Sequence, residues 1–274
     1  MLNLQKTKIQ TTLIVTAILM TVGCADNQKQ NTILDYSKSA EDLFDQAMER
    51  FDNEDCIEAE KQFQDVRRQF PYSKYASLSE LKIADCHFSQ GNHAEAAVAY
   101  QYFVKSHPTH EDTHYAAYRR GLSYYEMIPG DWGITPPPHE RDQSAVRDAR
   151  GAFVTFLRTY PTSKWHEHAE ELLADVVDAL VRHEMYVAEF YVHRKQLEAA
   201  SVRLEGIRTH FPSSTLVPDA MFLQAVTFLK LDQPSEATRV FEEIVEHFPN
   251  HHQALRAKDY LHHMTKTHMV KNGG

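Results

Sequence analysis

A spaced apolar pattern recurs five times along the chain. An alanine is followed after four residues by a bulky apolar residue, after three more by another, and after four more by an aromatic residue or histidine that directly precedes proline. Spacings of four, three and four place these side chains on one face of an α-helix. The residue before a proline is biased away from helical backbone, so each pattern predicts a helix that ends at its proline. The five occurrences are Ala59-Phe63-Val66-Phe70-Pro71, Ala96-Tyr100-Phe103-His107-Pro108, Ala149-Phe153-Phe156-Tyr160-Pro161, Ala200-Leu204-Ile207-Phe211-Pro212 and Ala237-Phe241-Ile244-Phe248-Pro249.

A second apolar run precedes each of these helices across a short polar break, so the repeating unit is helix, turn, helix. Ser73, Ser163 and Ser214 follow three of the prolines and are predicted helix N-caps. Successive prolines lie 37 to 53 residues apart, near the roughly 34-residue period of tetratricopeptide repeats. One such helix pair cannot bury its apolar face alone. We therefore expect an all-α tetratricopeptide-repeat solenoid of about five helix-turn-helix units, stacked as one body with a concave working face.

Two of the proline intervals are long enough to hold insertions. Prolines and glycines crowd the segment from Pro129 to Pro138, which predicts an inserted loop over residues 128–142. The segment from Lys164 to Arg194 has neither proline nor glycine, and it predicts one long helix or two abutting helices. In that segment and just beyond it, the residues expected to continue the core are Tyr186, Phe190, Tyr191 and Leu197.

The N-terminus is typical of an export signal. Lys6 and Lys8 precede an apolar stretch over residues 11–23 that is too short to span a bilayer. The stretch ends in small residues before Cys24, as in the lipobox of bacterial lipoproteins, and this resemblance implies cleavage before a diacylated Cys24. Ala25 after it implies sorting to the outer membrane. The alternatives are an ordinary signal peptide with an incidental cysteine, or a membrane anchor.

These patterns divide the chain into four parts. They are a lipoprotein signal peptide over 1–23, a lipidated Cys24 with a polar tether to residue 34, a solenoid over 35–264, and a flexible tail over 265–274. The predicted repeats are 36–70, 73–107, 111–160 with the inserted loop, 163–211 and 214–248, followed by a capping helix over 251–264.

Charge and motif content disfavour several function classes. Removal of residues 1–23 takes away two of the 29 basic residues and none of the 38 acidic ones, which leaves a formal charge of −11. This charge argues against nucleic acid as a partner. The sequence has no glycine-rich phosphate loop and no nucleophile turn, so we expect no enzyme and no cofactor.

The histidines and cysteines carry no recognised metal spacing. The 17 histidines include the adjacent pairs His251-His252 and His262-His263, which should diverge on a helix; they are interpreted as surface residues, and no metal is expected. Beyond Cys24 the chain has only Cys56 and Cys86, which are predicted at one end of the first repeat. They are either a disulfide or two buried thiols.

A few aromatic residues fall outside the repeat register and are candidates for a binding groove: Tyr72, Tyr75, Tyr115, Tyr118 and Tyr125. Rings of this kind can anchor an extended or helical segment of another protein.

The lipobox, the five repeats and two further blocks resemble BamD-type lipoproteins of the β-barrel assembly machinery. The blocks are Tyr115-x-x-Tyr118-x-Arg120-Gly121-Leu122, and Arg141-Asp142-Gln143-Ser144 after the loop. The resemblance implies a lipid-anchored scaffold at the periplasmic face of the outer membrane. Its implied partners are the POTRA domain of an Omp85-type barrel subunit, unfolded outer-membrane β-barrel proteins and other assembly lipoproteins.

The same resemblance implies two sets of site residues. The substrate groove would be lined by Tyr75, Tyr115, Tyr118 and Arg120, and the partner-docking helices would carry Arg203, Glu205 and Arg208. The alternative is another envelope tetratricopeptide lipoprotein, such as a pilotin-like factor for secretin or pilus assembly, or a coordinator of cell-wall synthesis.

Overall fold

The computed structural model describes residues 25–131, 133 and 135–272, and within them the only regular elements are helices. The all-α prediction is therefore confirmed. The predicted signal peptide and Cys24 lie outside the described residues, as do Trp132 and Ile134 of the inserted loop. The α-helices are α1 (Ala25–Asp52), α2 (Cys56–Gln69), α3 (Lys74–Ser89), α4 (His93–Ser106), α5 (Thr113–Glu126), α6 (Ser144–Thr159), α7 (His166–His193), α8 (Leu197–His210), α9 (Val217–Lys230), α10 (Pro234–His247) and α11 (His252–Asn272).

The five proline-terminated helices are α2, α4, α6, α8 and α10. Each ends one residue before the aromatic residue or histidine that precedes its proline. That last residue still donates a backbone hydrogen bond into the helix, as Phe70 does to the carbonyl of Val66 at 2.8 Å. The first three positions of each pattern are buried, and the alanines are fully enclosed. The residue before each proline is only partly buried. The helical spacing of the apolar residues and the position of each proline therefore predict where these five helices end.

Two of the three turns after the prolines are two residues longer than the sequence predicts. Ser73 is the N-cap of α3, although its side chain makes no capping bond. Ser163 and Ser214 lie within the turns, and α7 and α9 begin three residues after them. Their hydroxyls instead accept bonds from the backbone of Trp165 at 3.3 Å and Leu216 at 3.1 Å. The N-cap prediction is wrong for Ser163 and Ser214, because these hydroxyls stabilise the turn itself.

The first of two compact units extends to Asn92 and contains α1, α2 and α3. Its core joins Ala47, Phe63 and Ile83 to both cysteines, which are buried free thiols. Burial raises the pKa of the Cys86 thiol, and a hydrogen bond with Cys56 raises it further. Residues 25–34, predicted as a tether, are instead the start of α1, because no proline or glycine interrupts the chain from there to Asp52.

The second unit begins at His93 and contains α4 to α11, in which each helix packs on the next in sequence. The long interval is one helix, α7, of 28 residues. Its core side carries Val177, Val181 and Ala188, while Phe190 is exposed. The predicted core extension through Phe190 is therefore wrong, because it falls on the opposite side of α7. The last helix continues to Asn272 through the predicted tail, again without proline or glycine.

Two side chains, those of Arg141 and Gln143, hydrogen-bond to backbone carbonyls of the inserted loop. Arg141 donates from Nε to the Pro136 carbonyl at 2.6 Å and from a terminal nitrogen to the Gly130 carbonyl at 3.2 Å. Gln143, which is buried, donates to the carbonyls of Pro138 and Arg141. Backbone carbonyls in an irregular segment have no hydrogen-bond partners in a helix or sheet, and these two side chains supply them. The loop therefore has a defined conformation. Continuity of the stack between the two units stays a prediction.

Among the described residues, none of the helices combines the length and apolar character needed to cross a membrane.

Candidate binding surfaces

The centre of the first candidate surface, Tyr118 on α5, belongs to the core. Only 3% of Tyr118 is exposed. Its ring stacks on Trp165 with centroids 4.9 Å apart and an interplanar angle of 5°. Its hydroxyl is hydrogen-bonded to Nδ1 of His168 at 2.6 Å. Burial is the main cause that raises the pKa of Tyr118. The ring therefore ties α5 to the start of α7 and presents no free face to a ligand.

Tyr115 and Arg120 are the partly exposed members of the same predicted group. The Tyr115 ring lies edge-on to Tyr100 with centroids 6.5 Å apart, and the Arg119 guanidinium lies 5.7 Å from its centroid. Arg120 lies over the Tyr124 ring at 5.8 Å, and its buried Nε has no hydrogen-bond partner among the described residues. Aromatic rings beside guanidinium groups can bind both apolar and acidic groups of another protein.

Tyr75 lies in the first unit and is also buried. Its hydroxyl donates to Glu41 of α1 at 2.5 Å, and its ring packs on Phe44 with centroids 5.3 Å apart. The hydrogen bond to Glu41 and then burial raise the pKa of Tyr75. Tyr75 is thus a core residue of the first unit, and Tyr118 is a core residue of the second. Of the other residues outside the repeat register, Tyr72 is 95% exposed and Tyr125 is partly buried.

The second candidate surface is an open groove of about 760 Å³ between α6, α7 and α8. One of the predicted docking residues, Arg203, lines it and donates to Glu184 of α7 at 2.9 Å. The hydrogen bond and charge of Glu184 raise the pKa of Arg203, so the guanidinium stays charged. Almost half of the Arg203 side chain is exposed. The pair therefore presents a charge of each sign to whatever enters the groove.

The same groove has an apolar part that the sequence prediction missed. Val202 is 73% exposed beside Arg203. Phe211, the aromatic residue before the proline of the fourth repeat pattern, also lines the groove, with the Arg150 guanidinium 5.4 Å from its ring centroid. Val202 could have been found from sequence as an apolar residue on the polar side of α8. Arg150 and Glu184 could not, since polar residues on helical faces are abundant.

The other two predicted docking residues face away from the groove. Arg208 donates to Glu243 of α10, and it lies 3.4 Å from Glu205 on its own helix. Glu205 also accepts a bond at 3.0 Å from Gln224, which is buried in α9. The three predicted docking residues therefore differ in position. Arg203 lines the groove, whereas Glu205 and Arg208 connect α8 to α9 and α10.

Paired helices that pack in sequence order define a helical-repeat scaffold. The chain belongs to the YfiO family, described as "Outer membrane lipoprotein", whose model matches residues 36–244. Three similar relatives each bear the name "Outer membrane protein assembly factor BamD". The protein of Neisseria gonorrhoeae is 28% identical over 237 residues, covering 84% of this chain and 85% of the relative.

The relative from Caulobacter vibrioides is 26% identical, covering 83% of this chain and 72% of its own length. The relative from Xylella fastidiosa (strain 9a5c) is 26% identical, covering 87% and 82%. Among solved structures, the chain is similar to the TPR domain of P58(IPK), with a TM-score of 0.42 and 15% identity, covering 88% of this chain and 61% of that one. The last similarity is weak, and the helical repeat itself defines the fold.

Proposed function

We propose that this chain is a non-enzymatic scaffold subunit of the outer-membrane protein assembly machinery, held at the periplasmic face of the outer membrane by acyl chains on Cys24. It binds the POTRA domain of an Omp85-type barrel subunit and receives unfolded outer-membrane proteins. Family membership over residues 36–244 and relatives named as assembly factors support the assembly role. The groove that contains Arg203 is the observation that carries the docking role.

The groove has the composition of a protein-docking surface. The exposed side chain of Val202 offers apolar area that a partner can bury. Arg203 and Glu184 lie within hydrogen-bond distance of each other and provide one charge of each sign. A partner that brings its own carboxylate can share Arg203 with Glu184, because a guanidinium has five donors. Charge complementarity of this kind sets orientation and partner choice more than raw affinity.

The docking role is tested by measuring POTRA-domain binding to the Arg203→Glu variant. We expect the affinity to fall by at least about tenfold, because docking would bury Arg203, and loss of one partner of a buried charge pair costs about 2 kcal/mol or more. Arg239→Glu is the matched control. Arg239 is also paired with carboxylates, and its side chain is 53% exposed against 47% for Arg203. Equal losses in both variants, or none in either, would contradict docking at this groove.

Unfolded substrates are proposed to contact the surface around Tyr115 and Arg120 of the second unit. Outer-membrane strands alternate apolar and polar residues and carry aromatic residues near the membrane interface. The partly exposed ring of Tyr115 and the guanidinium of Arg120 suit both kinds of residue. Crosslinking from position 115 should capture C-terminal segments of barrel proteins. Capture of secretin or pilus proteins without an Omp85-type subunit would instead favour the pilotin-like alternative.

The lipid anchor is tested by mass spectrometry of the mature N-terminus. We expect diacylated Cys24 as the first residue, with several acyl chains for stable anchoring. The Cys24→Ser variant should carry no acyl chain and should keep residues 1–23, since cleavage follows acylation of Cys24. An unmodified N-terminus in the soluble fraction would contradict this part of the proposal.

A further inference from the structure

Two helix starts in the second unit bring an acidic side chain and two histidines together. Asp219 lies in the first turn of α9, His252 is the first residue of α11, and His251 immediately precedes it. Nε2 of His252 lies 3.3 Å from Oδ1 of Asp219, and Nε2 of His251 lies 3.6 Å from Oδ2. The two histidines were expected to diverge. That expectation is wrong because His251 is outside the helix, and the ring centroids are 4.4 Å apart.

We propose that Asp219, His251 and His252 form a binding site for a divalent transition-metal ion of the Zn²⁺ class. The ligand atoms of the three residues all lie within 4.8 Å of one another. Zn²⁺ binds imidazole nitrogen and carboxylate oxygen at about 2.0–2.2 Å, so two ligand atoms of one tetrahedral ion are about 3.4 Å apart. The 3.3 Å between Nε2 of His252 and Oδ1 of Asp219 matches that separation. The 3.6 Å between Nε2 of His251 and Oδ2 is close to it, so the two imidazoles face the two oxygens of one carboxylate.

The residues around the cluster hold it as the outer shell of a metal site would. Gln253 is buried, and its side-chain nitrogen donates to Oδ1 of Asp219 at 2.9 Å. Arg256 in turn donates to the Gln253 side-chain oxygen at 3.0 Å. Ligating carboxylates in metal sites are characteristically fixed by such hydrogen bonds. The carboxylate of Asp219 is therefore oriented before any ion arrives.

Ion binding requires one small rearrangement at His251. The backbone N–H of Gln253 lies 3.3 Å from Nδ1 of His251, so Nδ1 is the acceptor and the ring proton is on Nε2. A metal on Nε2 requires the other tautomer, with the proton on Nδ1. The bond that is given up is a long one, beyond the usual range for N–H hydrogen bonds. The change moves one proton from Nε2 to Nδ1, and the ring must then turn so that the new N–H does not face the N–H of Gln253.

The donor set also predicts which ions bind. Two imidazoles and one carboxylate suit Zn²⁺, Cu²⁺ or Ni²⁺, whereas Mg²⁺ prefers oxygen ligands alone. Partial positive charge at the two helix starts opposes a cation, so binding depends on the full negative charge of Asp219. The His252 side chain is 63% exposed, which leaves a path for entry and a fourth position for water. A bound ion would join the start of α11 to the start of α9.

The experiment titrates ZnCl₂ alone into the full mature chain in detergent micelles, in a non-chelating buffer, and follows binding heat and thermal unfolding. We expect one saturable site per chain and a rise in Tm, because a ligand that binds the folded state stabilises it. His252→Ala should lower the Zn²⁺ affinity by at least about tenfold, since loss of mere outer-shell partners already costs about 10- to 100-fold. Asp219→Asn should do the same, and MgCl₂ should have no effect.

The matched control is His262→Ala with His263→Ala, which removes another adjacent pair from α11 and should leave the site unchanged. His252 is exposed, so its removal should leave the circular-dichroism spectrum unchanged, and this variant decides the test if Asp219→Asn alters the fold. Absence of a saturable site in the natural chain overturns the proposal and leaves only polar contacts between the two imidazoles and Asp219. An equal loss in the control overturns it too, because the histidines then bind the ion diffusely.

Discussion

Two regions of the second unit, the ring cluster at Tyr118 and the groove at Arg203, were both candidates for binding other proteins. In the ring cluster, contacts from side chains of the same chain bury the Tyr118 ring. Tyr118 is buried, stacked on Trp165 and hydrogen-bonded to His168. In the groove, Val202 is exposed, and the ion pair between Arg203 and Glu184 lies at the surface. A resemblance in sequence does not separate the two cases, whereas burial does.

The ring cluster and the groove are expected to differ in how much they contribute to the free energy of unfolding. A buried aromatic side chain carries its full burial energy, so the cluster should determine how firmly α5, α6 and α7 pack. An exposed ion pair contributes little to folding and remains available to a partner. Changes in the cluster should therefore affect stability, and changes in the groove should affect binding.

The largest effect is expected for Tyr118→Ala. Loss of the ring should lower the free energy of unfolding by about 3–5 kcal/mol, as for other buried aromatic residues changed to alanine. Urea denaturation followed by circular dichroism measures this. Tyr115→Ala is the matched control on the same helix, and because Tyr115 is partly exposed its loss should be clearly smaller. Equal losses for the two variants would remove the distinction between core and surface rings.

A second effect concerns the close approach of α5 to α6. A Cβ added at Gly121 would lie 2.7 Å from two ring carbons of Phe153. Gly121→Ala should therefore destabilise the fold by about 1–3 kcal/mol through overpacking, less the helix-propensity gain of up to about 1 kcal/mol. Gly151→Ala on α6, where nothing lies within 4 Å of the added carbon, should instead be stabilising by up to about 1 kcal/mol. The same sign for both variants would contradict the packing.

A third effect follows from the pKa of Tyr118, which burial raises above its ordinary value of 10.0. The folded chain holds this proton more tightly than the unfolded chain does. The corresponding stability is fully present below about pH 10 and is lost as the pH rises through the folded pKa. Tyr118→Phe cannot ionise there, so its free energy of unfolding should fall less steeply between pH 9 and 11 than that of the natural chain. Parallel pH profiles would argue that Tyr118 is solvated.

The smallest stability effect is expected for Arg203→Ala in the groove. Its ion pair with Glu184 is largely exposed, so the change in the free energy of unfolding should stay within about 1 kcal/mol. Urea denaturation alongside Tyr118→Ala provides the comparison. A loss as large as that of Tyr118→Ala would make Arg203 a structural residue and would leave the groove without its charged anchor.

Most of the fold follows from local rules in the sequence. The helix period and the prolines place the ends of five helices, and the absence of breakers predicts the long helix α7. The predicted tether at 25–34 was wrong because polar residues without proline or glycine can remain helical. The caps at Ser163 and Ser214 were misplaced because a hydroxyl can stabilise either a turn or a helix start.

The candidate surfaces were less predictable, because they depend on which side of a helix meets its neighbours. Tyr115 and Tyr118 share a helix face by spacing, yet one is buried and the other partly exposed. Arg203 and Arg208 lie on one helix, and only the first lines the groove. The Asp219 cluster joins residues more than thirty positions apart at two helix starts, which no short motif reveals.

Docking through the Arg203 groove is tested most directly by site-specific photo-crosslinking in living cells from position 202. Leu255 on α11 is the control position, since it is also an exposed apolar residue and lies outside the residues that line the groove. We expect a crosslink to the Omp85-type barrel subunit from position 202 and none from position 255. No crosslink from position 202, or equal crosslinking from both, would contradict docking through the Arg203 groove.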